Sequence, residues 1–188
     1  MEPFEYVVVL TSLILGLGLS QILIGISNVI SNYRNVKLSL PHSLLVVIIF
    51  MTHIQEWWIN YQYSKTIHVW TLPMVLSLLI YPTLLFLYAR ILFPPLLKEE
   101  KKIDLNKYYF EHWKLFFGGG LLAVMISMWQ NVIISNISLD QQLPQWGYGL
   151  SYLVFLVFRI EKRIIHTIYF SLQIVSWIFY IVTDSTTL

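Results

Sequence analysis

The sequence predicts an all-α fold: a polytopic membrane protein built as a bundle of six transmembrane helices, with a short cytoplasmic interfacial helix. Three observations carry that expectation. Only 12% of the 188 residues are charged while 57% are hydrophobic, whereas a soluble domain carries about a quarter charged residues. A spanning helix needs about 20 mostly apolar residues. Six stretches qualify, at residues 5–30, 41–64, 70–93, 114–136, 144–160 and 163–183. Finally, Lys and Arg alternate between the loops as the positive-inside rule requires.

The basic residues order the spans. Arg34 and Lys37 fall between spans 1 and 2. Arg90, Lys98, Lys101, Lys102, Lys107 and Lys114 surround the connection between spans 3 and 4, and Arg159, Lys162 and Arg163 that between spans 5 and 6. Only Lys65 belongs to the other side, with Glu2, Glu5, Asp140 and Asp184. Both termini are therefore expected on the non-cytoplasmic side. Trp57, Trp58, Trp70, Trp146 and Trp177 would ring the outer interface, and Tyr108, Tyr109 and Trp113 the inner one.

Span 1, LTSLILGLGLSQILIGISN, carries small residues four and seven apart: Ser12, Gly16 and Ser20 on one face, Thr11, Gly18 and Gly25 on another. Gly119, Ala123 and Ser127 repeat the pattern in span 4. Such faces let helix backbones approach closely where no hydrophobic drive exists between helices in lipid. They are read as packing surfaces, within one chain or between copies in a homo-oligomer. Span 3 holds Pro82 and is expected to kink there. Pro94 and Pro95 end it. Asp104 reads as an N-cap, opening an interfacial helix whose Leu105, Tyr108, Tyr109 and Trp113 lean on lipid. The triplet Gly118–Gly120 is expected at a helix start and lacks the Lys-Ser/Thr partner of a phosphate loop. Span 5 is the shortest, with Pro144 at its start.

Composition closes off much chemistry. There is no cysteine, so disulfides, thiolate metal sites and cysteine nucleophiles are excluded. The net charge of +2 gives no footprint for nucleic acid. The acidic start MEPFEY does not read as a signal peptide. His42, His68 and His112 read as interfacial. No metal-ligand set, His–His haem pair, mid-span lysine or hydrolase triad is found, so neither a cofactor nor an enzyme is expected.

The polar residues inside span 2 are the informative ones. At 1.5 Å per residue from Pro41, His53 lies about 18 Å and Glu56 about 22 Å along the helix. Glu56 is therefore expected within hydrocarbon. His53, Glu56 and Asn60 share one face at i, i+3 and i+7. In span 4, Gln130 reaches the same height, with Ser127, Gln130 and Asn131 continuing the Gly119–Ala123 stripe, and span 6 offers Gln173 beside His166, Phe170 and Trp177. An ionisable group in lipid costs roughly 2.5–3.5 kcal/mol on insertion scales, so Glu56 must face protein or water. Two readings stay open: a pore or cavity lined by His53, Glu56, Asn60, Ser127, Gln130, Asn131 and Gln173, or a hydrogen-bonded clamp between helices.

The opening FEYVVVLTSLILGLGLSQILIG, with PHSLLVVIIF…WW and DLNKYYFEHWKLFFG, resembles a family of uncharacterised small multi-pass inner-membrane proteins of bacteria. The resemblance implies a six-span protein of the bacterial cytoplasmic membrane and lends no activity or site residue. The leading expectation is an oligomeric channel or small-solute permeation protein working at Glu56. The alternative is a non-conducting membrane sensor or anchoring subunit that acts through the basic loop 94–114 on lipids or a cytoplasmic partner protein.

Overall fold

A computed structural model describes residues 3–67, 69–95 and 102–183. Glu2, Asp184, His68, Lys98 and Lys101, named above, lie outside them. Among the described residues there are six α-helices: α1 Pro3–Ser31, α2 Leu40–Thr66, α3 Leu72–Ile91, α4 Leu105–Ile133, α5 Leu143–Phe158 and α6 Arg163–Thr183. All but α5 are long and apolar enough to cross a membrane. The chain is a multi-pass helical membrane protein whose outward surface, rich in Leu, Ile and Val, suits contact with lipid.

One end of the bundle is tied by a two-residue parallel ladder, β1 Val36–Lys37 on β2 Ile103–Asp104, with Ile103 N–H also donating to Asn35 O over 2.8 Å. It joins the α1–α2 loop to the entry of α4. His42 of α2 reaches the Leu92 carbonyl at 2.7 Å just after α3. The hydroxyl of Tyr109 near the start of α4 meets His166 near the start of α6 at 2.6 Å. The α1–α2, α3–α4 and α5–α6 connections therefore share this strand end. At the opposite end, the Phe4 ring lies 6.1 Å from Trp70, and Asn131 of α4 donates to Gln142 over 3.1 Å just before α5.

α2 opens on Pro41, whose missing N–H costs nothing in a first turn. α3 continues through Pro82, which leaves the Leu78 carbonyl without its usual amide donor. α4 is capped by Asp104, which accepts from Asn106 N at 2.9 Å and Lys107 N at 3.0 Å. Asn136 after α4 and Arg159 after α5 take left-handed conformations, at φ 54° and 49°, and so close the two turns around α5.

Three sequence expectations change here. The interfacial helix is not a separate element: residues 105–133 form one helix, about 43 Å long at 1.5 Å per residue. Leu105, Tyr109 and Trp113 do not lean on lipid. They are at most 2% exposed, and Tyr109 and Trp113 belong to the larger apolar cluster, because α2, α3 and α6 close over the first turns of α4. Only Tyr108 is half-exposed, donating to Ile91 O at 2.8 Å. Nor do Gly118–Gly120 start a helix: they lie midway along α4. Glycine weakens helices in water by about 1 kcal/mol each, but in lipid the backbone has no solvent to bond instead.

Two apolar clusters fill the bundle. The larger lies toward the strand end and is aromatic, with Tyr88, Tyr109, Trp113, Phe116, Phe117, Tyr152, Phe155 and Phe170 around Ile22, Leu45, Val46 and Ile49. The smaller, Val7, Tyr63, Ile67, Leu78 and Ile134, closes the opposite end. α5 runs antiparallel to α4: Tyr152 packs on Gly120 and Phe155 stacks on Phe117 at 4.6 Å.

Candidate functional site

Between the two apolar clusters lies a belt of buried polar side chains. On α2 it comprises His53, Glu56 and Asn60, which are 0%, 6% and 4% exposed. They sit together because positions three and four apart share a helical face, and that face is turned inward onto α1 and α3.

Glu56 is held locally. Asn60 donates Nδ2 to the Glu56 carbonyl at 2.7 Å and, at the long distance of 3.4 Å, to its Oε1. The phenols of Tyr63 on α2 and Tyr81 on α3 lie within electrostatic reach of the carboxyl. Among the described residues no Lys or Arg forms a salt bridge with it. A buried carboxyl group is costly in its charged form unless it is paired or well hydrogen-bonded, and Asn60 is the one side chain seen to donate to it among the described residues.

His53 donates Nδ1–H to the Ile49 carbonyl at 2.7 Å, since a carbonyl can only accept. Its Nε2 is buried without a hydrogen-bond partner. It rests on the backbone of Gly18: a Cβ there would collide with Nε2 and lie 2.8 Å from Cδ2. Gly18 makes this approach possible, and Gly25 does the same for the Phe93 ring. The other small face of α1 is different. A Cβ on Gly16 would meet no atom within 4 Å, and Ser20 is exposed, its hydroxyl returned to Gly16 O at 2.8 Å. Gly119 makes ordinary contact with Tyr88, and Ala123 is buried.

The polar residues of α4 do not join Glu56 directly. Gln130 donates to Ser77 O of α3 at 2.6 Å. Ser77 lies on α3 one turn before Tyr81. Asn131 turns the other way, onto Gln142, which itself donates to Ile137 O at 3.2 Å. Ser127 is half-buried one turn below Asn131. Gln173 is elsewhere: it lines a cleft between α5 and α6 and donates to the Tyr152 hydroxyl at 2.8 Å. Six of the seven lining residues read from sequence thus divide into a Glu56 group, an α3–α4 tie, a tie across the α4–α5 turn and a separate cleft, and Ser127 joins none of these. Helical periodicity reports the face of one helix but not which neighbour that face meets.

A further fully buried titratable side chain is His166, which the sequence placed only on the polar stripe of span 6. It is 0% exposed. Six aromatic rings surround it, with Phe117 and Phe155 nearest, at centroid distances of 5.1 and 5.2 Å. Nε2–H donates to Ile160 O at 2.6 Å, so Nδ1 accepts from the Tyr109 hydroxyl. Both ring nitrogens are occupied. The site is a structural lock on α4 and the α5–α6 turn, with no vacancy for a ligand. The only sequence hint was its place on the His166–Phe170–Gln173 stripe. Among the described residues no three His, Asp or Glu gather to hold a metal ion.

An all-helical membrane bundle with a carboxylic acid sealed in its interior is the class of protein that fold and site define. No protein-family model, curated protein or solved structure matches the chain.

Proposed function

We propose that the chain crosses the bacterial cytoplasmic membrane six times and passes protons or small polar solutes by way of Glu56. The burial of Glu56 carries this reading. An ionisable side chain at membrane depth is expensive and marks a functional pathway by default, and this one faces the bundle interior rather than lipid. The sixth crossing is α5. It has 16 residues, about 24 Å at 1.5 Å per residue, and runs beside α4 from the Asn131 level to the Phe117 level. The Lys and Arg alternation supports cytoplasmic placement of the strand end and both termini outside.

The path runs inside one chain. Glu56 turns inward, so it does not form a ring around an oligomer axis; a homo-oligomer would carry one path per subunit. The cluster of Ile22, Leu45, Val46 and Ile49 on one side and that of Val7, Tyr63, Ile67 and Leu78 on the other act as closed gates. The test is flux through purified protein in liposomes, wild type beside a folded Glu56→Gln. A proton or solute flux that Glu56→Gln alters supports the path. Absence of flux in wild type across voltage and pH gradients sinks it.

A second reading is a non-conducting sensor or anchoring subunit. One observation favours it: the β1–β2 ladder and the 2.9 Å Lys37–Asp104 ion pair couple the entry of α4 to the α1–α2 loop. A partner bound to segment 94–114 would then act on several helices at once. It requires charge reversal at Lys102 and Lys107 to abolish capture of a cytoplasmic partner; capture insensitive to these charges removes it.

A further inference from the structure

The cleft between α5 and α6 has a volume of about 370 Å³, within the range of roughly 300–1,000 Å³ typical of small-ligand sites. Its floor is polar. Tyr148 and Ser176 hydroxyls meet at 2.9 Å, and those of Ser151 and Tyr169 at 2.8 Å. Gln173 spends one amide N–H on Tyr152, while its Oε1 is buried with no donor. That oxygen lies ten residues into α6, about 15 Å along the axis, near the middle of a hydrocarbon layer of about 30 Å. Bulk water does not serve it there. An acceptor left unpaired at such a place costs free energy that an incoming donor recovers.

The rim is open to lipid. Pro144, Gly147 and Leu172 are exposed on the bundle surface. A Cβ on Gly147 would meet no atom within 4 Å, so this small residue leaves the mouth free. The lining holds no charged side chain, and a charged head would be penalised at this depth. Phosphate and carboxylate heads are therefore disfavoured, whereas a hydroxyl is matched. Turning the Gln173 amide over would exchange the free acceptor for a free donor, and a hydroxyl satisfies either.

We infer that the α5–α6 cleft binds an uncharged lipid with a hydroxyl head, its O–H donated to the Gln173 amide and its chain running out past Leu172 into the bilayer. This stands apart from the Glu56 reading, since the two sites share no residue. The test uses the full chain in phosphatidylcholine nanodiscs and two photoreactive probes: hexadecanol with a diazirine on its chain, and the methyl ether of the same probe, which cannot donate. The alcohol is expected to label peptides 144–151 and 169–176 roughly fivefold more than the ether, the scale of one net hydrogen bond. Excess plain hexadecanol removes that labelling, and Gln173→Leu lowers it to the ether level. Gly147→Leu, which fills the mouth without touching the fold, lowers it while keeping the amide. Equal labelling of wild type by alcohol and ether overturns the inference, as does undiminished alcohol labelling of folded Gly147→Leu.

Discussion

The Tyr109 hydroxyl donates to Nδ1 of His166 across 2.6 Å, and the same ring passes its Nε2–H to the Ile160 carbonyl across 2.6 Å. Three segments of chain are fastened by one imidazole: the start of α4, the turn after α5 and the start of α6. Removing one partner of a buried hydrogen bond costs more than removing both. Tyr109→Phe is therefore expected to destabilise the protein by about 1–3 kcal/mol. Tyr109→Phe with His166→Phe should recover part of that loss. Thermal unfolding in detergent reads both, and a double variant less stable than the sum of the singles would contradict the lock.

The two small-residue faces of α1 predict opposite outcomes for the same substitution. Gly18→Ala forces the new methyl into His53 Nε2, on a fully buried ring whose Nδ1 is held by the Ile49 carbonyl; overpacking of this kind costs roughly 1–3 kcal/mol. Gly16→Ala meets open space and is expected to leave the melting temperature unchanged or raise it slightly. If both variants melt alike, α1 does not pack on α2 as described.

Crossing by α5 is open to direct measurement because the chain has no cysteine. Asp140→Cys precedes α5 and Lys162→Cys follows it; both positions are exposed. In intact cells an impermeant maleimide is expected to label residue 140 and not residue 162. Labelling of both from the same side would place α5 on the membrane surface and reduce the crossings to five.

Asp104 ties the strand end electrostatically. A hydrogen bond from Lys37, together with backbone N–H groups of Lys107 and Asn106, holds its carboxyl below the ordinary carboxylate range. A depressed folded-state pKa means that the contribution is present above the unfolded value of about 3.9 and is lost as pH falls through the lower folded value. Asp104→Asn keeps a good cap and removes the ion pair. It is expected to lower stability slightly at pH 7 and to flatten the acid-induced loss below about pH 4. An unchanged acid profile in melting experiments would show that Asp104 carries none of it.

Much of the architecture was legible in one dimension because lipid imposes a one-dimensional rule: a span must be long, apolar and internally hydrogen-bonded. Helix starts at Pro41, Asp104 and Pro144 could be read because caps and proline act within a single turn. The sequence by itself also put His53, Glu56 and Asn60 on one face of α2, since helical spacing alone aligns them. Only the tertiary structure decided what each face meets. It assigned Leu105, Tyr109 and Trp113 to the core instead of lipid, because distant helices close over the entry of α4. It separated Gln130, Asn131 and Gln173 from Glu56, and surrounded His166 with aromatic rings from three helices. Apolar and aromatic side chains look alike to lipid and to a protein core, so hydropathy marks them as buried without saying in which of the two. That choice is made by packing between segments far apart in the chain.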